Sequence, residues 1–196
     1  MKNIEFYKGF ELGPIRPPSE AESLLIRITR NCPWNRCTFC PVYKDARFSL
    51  RPVEHVLKDI DTVRQCVELI NDARRTGDSP NRALAESKID DLNAIHAAYQ
   101  FVSGGMKSIF LQDGNSLIIK PEDMITILRH LQVCFPMVER ITSYARSHTI
   151  AKISDENLEK MAEAGLNRLH IGMESGSDRV LKMVKKGVDK ATQIRA

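Results

Sequence analysis

KSIFLQDGNSLIIKPEDMITILRHLQVCFPMVERITSYAR, residues 107–146, carries a strand, a helix and a second strand with little between them. KSIFLQDGN reads as a strand ending in a polar turn. KPEDMITILRHLQVCF reads as a helix, with Pro121 at its first position and Glu122 and Asp123 in its first turn. RITSYAR is the next strand. The rhythm continues C-terminally. ISDENLEKMAEAG is a helix with Ser154 as N-cap, Gly165 as its stop, and Ile153 and Leu158 spaced as a hydrophobic staple. NRLHIGMESGS is a strand and DRVLKMVKKG the helix after it.

N-terminally, SLLIRIT is a strand at about 24–30, followed by a cysteine-containing loop. A helix then begins near Leu50, with Pro52 in its first turn. Its apolar stripe is Val56, Ile60, Val63, Val67 and Ile70, and Gly77 is its expected terminator. GDSPN breaks the chain, and Leu84, Leu92, Ile95 and Tyr99 mark a second helical pattern that runs to Gly104 and Gly105. Residues 78–105 therefore read as a helical insertion within a single core domain of 1–196.

Strands alternating with helices over short loops predict a parallel sheet with right-handed crossovers. Four such units make an open α/β sheet or, as expected here, a partial (β/α) barrel, with the functional end at the C-terminal edge of the strands. The last residues, VDKATQIRA, read as the opening of another helix, so a truncated barrel is expected.

At 196 residues, with 42% hydrophobic and 28% charged residues, the composition is that of an ordinary globular domain. A formal charge of +4 permits a nucleic-acid or anionic partner without arguing for one. The N-terminal MKNIEFYKGFELGPIRPPSE lacks the apolar core and cleavage site of a secretion signal. No stretch approaches the ~20 apolar residues that cross a bilayer. The expected compartment is the cytoplasm, where clustered cysteines bind metal or do chemistry more often than they form disulfides.

Such a cluster follows the first strand: Cys32, Cys37 and Cys40 within NCPWNRCTFC. Three thiolates without a fourth suit a 4Fe–4S cluster with one iron left to another ligand. Zinc is the competing metal, and would need a fourth ligand such as His55 or an acid, with Tyr43 and Asp45 nearby. Cysteines merely packed in a loop are the third reading. The other strands end in QDGN, SYAR and MESGS, and the architecture brings all four ends to one face. Each has a plainer reading. Asp113, Gly114 and Asn115 form a good turn, Arg146 suits a surface ion pair, and Glu174 precedes a helix start at Ser177 or Asp178. Cys66 and Cys134 read as small core residues. The five histidines show no i, i+4 pairing, and His170 reads as a packed strand residue. Trp34 and Arg36 sit where they would shield or tune a metal centre.

With these residues in view, the chain resembles the radical S-adenosylmethionine superfamily. The resemblance rests on the cysteine loop with Phe39 before its third cysteine, on FLQDGNSLI in place of that family's Gly-Gly-Glu turn, and on LHIGMESGSDRVLKMVKKG. The last segment looks like the coproporphyrinogen-dehydrogenase, methylthiotransferase and Elongator-acetyltransferase-like branches. The first cysteine gap is four residues, C-x4-C-x2-C, where the superfamily usually has C-x3-C-x2-C.

The resemblance implies a 4Fe–4S cluster on Cys32, Cys37 and Cys40 and S-adenosylmethionine as second cofactor. It implies reductive cleavage to a 5′-deoxyadenosyl radical that abstracts hydrogen from an unidentified substrate, and a reductant such as flavodoxin or ferredoxin. Phe39, Asp113, Gly114 and Asn115 would then bind S-adenosylmethionine, with Ser143, Arg146 and Glu174 as contacts to ribose and carboxylate. An iron–sulfur electron carrier and a zinc-stabilised binding module are the alternatives. A carrier usually supplies four cysteines per cluster, and the zinc module needs a fourth ligand.

Overall fold

The computed structural model describes residues 5–196; the first four residues of the lead-in read above lie outside the described residues. In chain order the elements are strands β1 (Leu24–Arg27), β2 (Thr29–Arg30) and β3 (Ser49–Leu50), then helices α1 (Val53–Thr76), α2 (Pro80–Glu86) and α3 (Leu92–Ser103). Strand β4 (Ser108–Gln112), helix α4 (Pro121–Cys134), strand β5 (Arg140–Ala145) and helices α5 (Ser147–Ile150) and α6 (Asp155–Glu163) follow. Strand β6 (Leu166–Ile171) and helices α7 (Asp178–Met183) and α8 (Lys190–Arg195) complete the order.

Four strands form one parallel sheet in the order β1-β4-β5-β6. With helices alternating along the chain this is a partial β/α barrel, as the sequence rhythm predicts. Strand β4 is buried at every position, as a central strand should be. Between β5 and β6 the register shifts at Ile141/Thr142. Asn167 is the extra residue, and its side-chain Oδ1 accepts the Ile141 N–H at 3.1 Å in place of the lost ladder bond.

The single strand expected at 24–30 is two. After Arg27 the chain leaves β4, and Thr29–Arg30 pairs antiparallel with Ser49–Leu50. This two-stranded ribbon closes the base of the cysteine loop. Arg51, directly after it, is fully buried. Its guanidinium donates to the Arg27 carbonyl at 2.7 Å and pairs with Asp59 of α1 at 2.8 Å. Tyr7 also donates to Asp59, at 2.8 Å. Burial pushes the Asp59 carboxyl above the usual range although Arg51 and Tyr7 pull it down.

Helix α1 buries the whole predicted stripe and stops at Gly77, which takes a left-handed φ of 75°. The second helical pattern is divided. Leu84 packs from α2, while Asp91 caps α3 by accepting the Ala94 N–H at 3.0 Å. Leu92 is 77% exposed, and α3 buries Ala94, Ala97, Ala98, Phe101 and Val102 instead. Small residues on that face let α3 lie close to α1, against which it packs. Helix α6 carries the expected Ser154 cap, whose Oγ accepts the Asn157 N–H at 3.3 Å, and Gly165 follows it with φ 104°. Among the described residues no helix is long and apolar enough to cross a membrane.

Candidate active site

The C-terminal ends of β1, β4, β5 and β6 converge on one cavity of about 200 Å³. Cys32, Cys37 and Cys40 line it from the loop after β1, with Phe39 beside them. Gly114 lines it from the turn after β4, Tyr144, Ala145 and Arg146 from the end of β5 and the residue after it, and His170, Gly172 and Glu174 from the end of β6 and the turn that follows. Ile15 and Tyr43 close it on the N-terminal and loop sides, and Lys186 enters from the turn before α8.

Of the residues expected from sequence, the three cysteines, Phe39, Gly114, Arg146 and Glu174 meet here. Asp113, Asn115 and Ser143 are buried beneath this wall. Asp113 is fully buried and pinned on both oxygens. Arg27 Nε and the Asn31 backbone N–H donate to Oδ2, each at 2.9 Å, and Tyr43 donates to Oδ1 at 3.2 Å. It thus joins the end of β4 to the entry of the cysteine loop. Asn115 spans the next gap: its Oδ1 accepts the Arg146 N–H at 3.0 Å, and its Nδ2 donates to Thr149 Oγ1 at 2.9 Å. Ser143 donates to the Tyr144 carbonyl at 3.1 Å, within its own strand.

Gly114 is needed where it lies. A Cβ there would stand 3.2 Å from the Tyr43 ring, tighter than an ordinary contact. The far side of the cysteine loop docks on the α7–α8 turn. Trp34 Nε1 donates to the Lys185 carbonyl at 2.7 Å, and Thr38 N–H to the Val184 carbonyl at 3.1 Å. Trp34 is also stacked beneath the Arg146 guanidinium at 4.9 Å.

Two cations face the clustered thiols. Burial pushes the Cys37 thiol up, and the Lys186 and Arg146 cations pull it the other way. Burial likewise lowers the Arg146 pKa, opposed by the thiols of Cys32 and Cys37. Lys186 is anchored by Glu174 at 2.9 Å and lies 5.8 Å from the Phe39 ring centre. The Tyr43 hydroxyl is pushed far up by burial and by Asp113, so it stays a donor.

Two cysteine sulfurs on one tetrahedral zinc ion lie roughly 3.8 Å apart, given bonds of about 2.3 Å. Among the described residues, one trio of Cys, His, Asp or Glu ligand atoms falls mutually within 4.8 Å, and it is not that of the loop. The three loop sulfurs therefore do not all lie within 4.8 Å of one another. The proposed zinc partners are also occupied elsewhere. His55 stacks edge-on against Tyr7 at 5.4 Å, and Tyr43 is committed to Asp113.

Sequence reasoning missed Tyr144, Lys186, Ile15 and Gly172 as lining residues, and placed His170 in a packed strand although it faces the cavity. The signal that could have found Tyr144 is its strand-end position in SYAR. Lys186 lies in the closing KKG of LHIGMESGSDRVLKMVKKG, where a cation before glycine reads as a helix end, and Ile15 comes from a segment with no motif.

No curated protein matches the chain by sequence. Among solved structures the chain is similar to the cobalamin-dependent S-adenosylmethionine radical enzyme OxsB with aqua-cobalamin and S-adenosylmethionine bound. The TM-score is 0.50 at 24% identity, covering 88% of this chain and 21% of that one. The same enzyme with aqua-cobalamin bound aligns at TM-score 0.48 and 22% identity, covering 87% and 21%. The chain thus spans about a fifth of the length of that enzyme, and the likeness is one of fold. The family model of the Radical SAM superfamily matches residues 26–196, from within β1 to the last residue, and so takes in the cysteine loop and every strand end that lines the cavity. This chain belongs to the Radical SAM superfamily, whose enzymes use a 4Fe–4S cluster and S-adenosylmethionine.

Proposed function

We propose that the chain is the cluster- and S-adenosylmethionine-binding core of an enzyme that generates a 5′-deoxyadenosyl radical to abstract hydrogen from its substrate. The observation that supports this most directly is the shared cavity. Three cysteines face the ends of three further parallel strands. Cys32, Cys37 and Cys40 would hold three irons, leaving the fourth for the amino and carboxylate groups of S-adenosylmethionine. When bound, the two cofactors supply one-electron cleavage of the sulfonium C–S bond and the radical that follows from it.

The protein's part is placement and charge. Arg146 and Lys186 offset the negative charge of the thiolates, and Trp34 holds the Arg146 guanidinium in place. Phe39, 48% exposed at the mouth, offers a flat apolar face to an adenine ring. Glu174, steadied by Lys186, offers carboxylate oxygens to ribose hydroxyls or to an ammonium group. Gly114 lets the β4 turn approach a ligand closely. Asp113 and Asn115 act through the backbone they hold, and Ser143 through the strand end. An external one-electron reductant, such as flavodoxin or ferredoxin, would serve the cluster.

Anaerobic reconstitution with iron and sulfide tests this. The expected product is a brown protein with about four irons and four sulfides per chain. Its reduced spectrum should change on adding S-adenosylmethionine, and 5′-deoxyadenosine should accumulate. A chain that takes up no iron and sulfide, or a cluster indifferent to S-adenosylmethionine, would overturn the reading.

A further inference from the structure

On the helical layer outside the sheet, apart from the cavity, three side chains with metal-ligating atoms converge. Asp61 projects from α1, and His130 and Cys134 from α4. None of them lines the cysteine cavity. His130 and Cys134 are four residues apart, so they share one face of α4, and α1 packs against that helix. His130 Nε2 lies 2.7 Å from Asp61 Oδ1 and 3.5 Å from Cys134 Sγ, and the sulfur lies 3.9 Å from the same carboxylate oxygen. Cys134 is 8% exposed, while Asp61 and His130 are partly open to solvent.

A Cys–His–Asp relay is the first reading such a trio invites, and the geometry rejects it. A relay places the thiol at one ring nitrogen and the acid at the other. Here both meet at Nε2. What converges is an imidazole nitrogen, a thiol sulfur and a carboxylate oxygen around one point, a donor set that suits zinc. Tetrahedral zinc bonds would separate sulfur from nitrogen and from oxygen by roughly 3.6 Å each, and nitrogen from oxygen by roughly 3.4 Å. Both sulfur distances are already close to this. The His–Asp distance is that of a hydrogen bond and must open, which Asp61, with a side chain 47% exposed, is free to allow. Burial pushes the Cys134 thiol up, and Arg64, itself paired with Glu68 at 2.8 Å, pulls the other way.

We propose that Asp61, His130 and Cys134 bind one zinc ion, with water in the fourth position, and that the ion ties α1 to α4. The site is independent of the cysteine loop and of the reading proposed for it.

Cobalt(II), which reports thiolate ligation by a charge-transfer absorption, is the first probe. It is added to the full chain with Cys32, Cys37 and Cys40 replaced by alanine, which leaves Cys134 and the fully buried Cys66 as the thiols. One ion should bind with the thiolate band. C134S should abolish the band, and H130A should weaken binding by more than the roughly 10–100-fold that loss of an outer-shell partner costs. In the intact chain, zinc should raise the thermal midpoint by mass action, and H130A/C134S should remove that rise. This second measurement serves even where the triple-alanine chain does not fold. A missing thiolate band, a band that survives C134S, or an equal zinc-dependent rise in the double variant would overturn the assignment.

Discussion

Truncating Asp113 to alanine would leave the Arg27 guanidinium, whose side chain is 14% exposed, facing a buried gap where its 2.8 Å partner had been. Breaking a buried pair from one side costs about 3–5 kcal/mol. D113A should therefore show a large drop in urea-unfolding stability. It should also make the segment 31–48 newly sensitive to protease, because the Asn31 and Tyr43 tethers go with it. A variant as stable and as resistant as the parent would show that the carboxylate is not the anchor. The cysteines divide by position. C32A, C37A and C40A should each abolish iron retention after reconstitution. C66A, a small cavity inside the core, should cost about 1 kcal/mol and retain iron. Equal iron loss in all four would count against the loop as the cluster site. At this scale the three loop cysteines were plain from their crowding in NCPWNRCTFC. Asp113 read as a ligand-binding turn residue, because its partners Arg27, Asn31 and Tyr43 come from elsewhere in the chain. The His130–Cys134 spacing was also in view, but a search for histidine pairs passes over a histidine whose i+4 neighbour is a cysteine.

The cysteine loop is held as an element, at its base by the β2–β3 ribbon and at its far side by the α7–α8 turn. Gly187 in that turn has φ 74°, and a Cβ there would overlap the Trp34 ring. G187A should cost about 1–2 kcal/mol from backbone strain alone and should push Trp34 off its seat. Trp34 is the chain's one tryptophan, so its fluorescence reads the displacement directly. The expected result is a shifted emission maximum together with weaker iron retention; unchanged emission would show that the turn does not support the loop. Helix α1 was legible because five large apolar residues recur at helical spacing. Helix α3 was misread on Leu92, since its buried face is largely alanine and gives a weak apolar signal beside exposed larger residues. The split of the first strand was hidden for another reason. SLLIRIT is strand-like throughout, and nothing within it says that the pairing partner changes after Arg27.

Across the whole molecule, Glu20 links the start of the chain to the sheet. It is fully buried, its Oε2 accepts from Ser23 at 2.5 Å and pairs with Arg140 of β5 at 3.3 Å. Burial pushes its carboxyl up, but the hydrogen bonds from Ser23 and Arg140 prevail and leave it below the ordinary glutamate value of 4.5. A depressed carboxyl contributes stability above that value, and the contribution is lost as pH falls through the lower, folded one. The thermal midpoint should thus decline on acidification below about pH 4.5, and E20Q should flatten part of that decline; an unaltered pH profile in E20Q would remove Glu20 from the account. At this scale the sequence by itself determined the parallel sheet, the order of its helices and the three loop cysteines. Hydrophobic period and cap residues act over a few neighbouring positions, and thiols crowded within one loop need no folding to be seen together. Only the tertiary structure decided which strand-end residues face the cavity and which are buried beneath it. It also decided that Lys186 and Ile15 complete the site, and that a second cluster forms between α1 and α4. Those outcomes depend on side chains far apart in the chain competing for the same space and the same hydrogen bonds, and no local pattern records that competition.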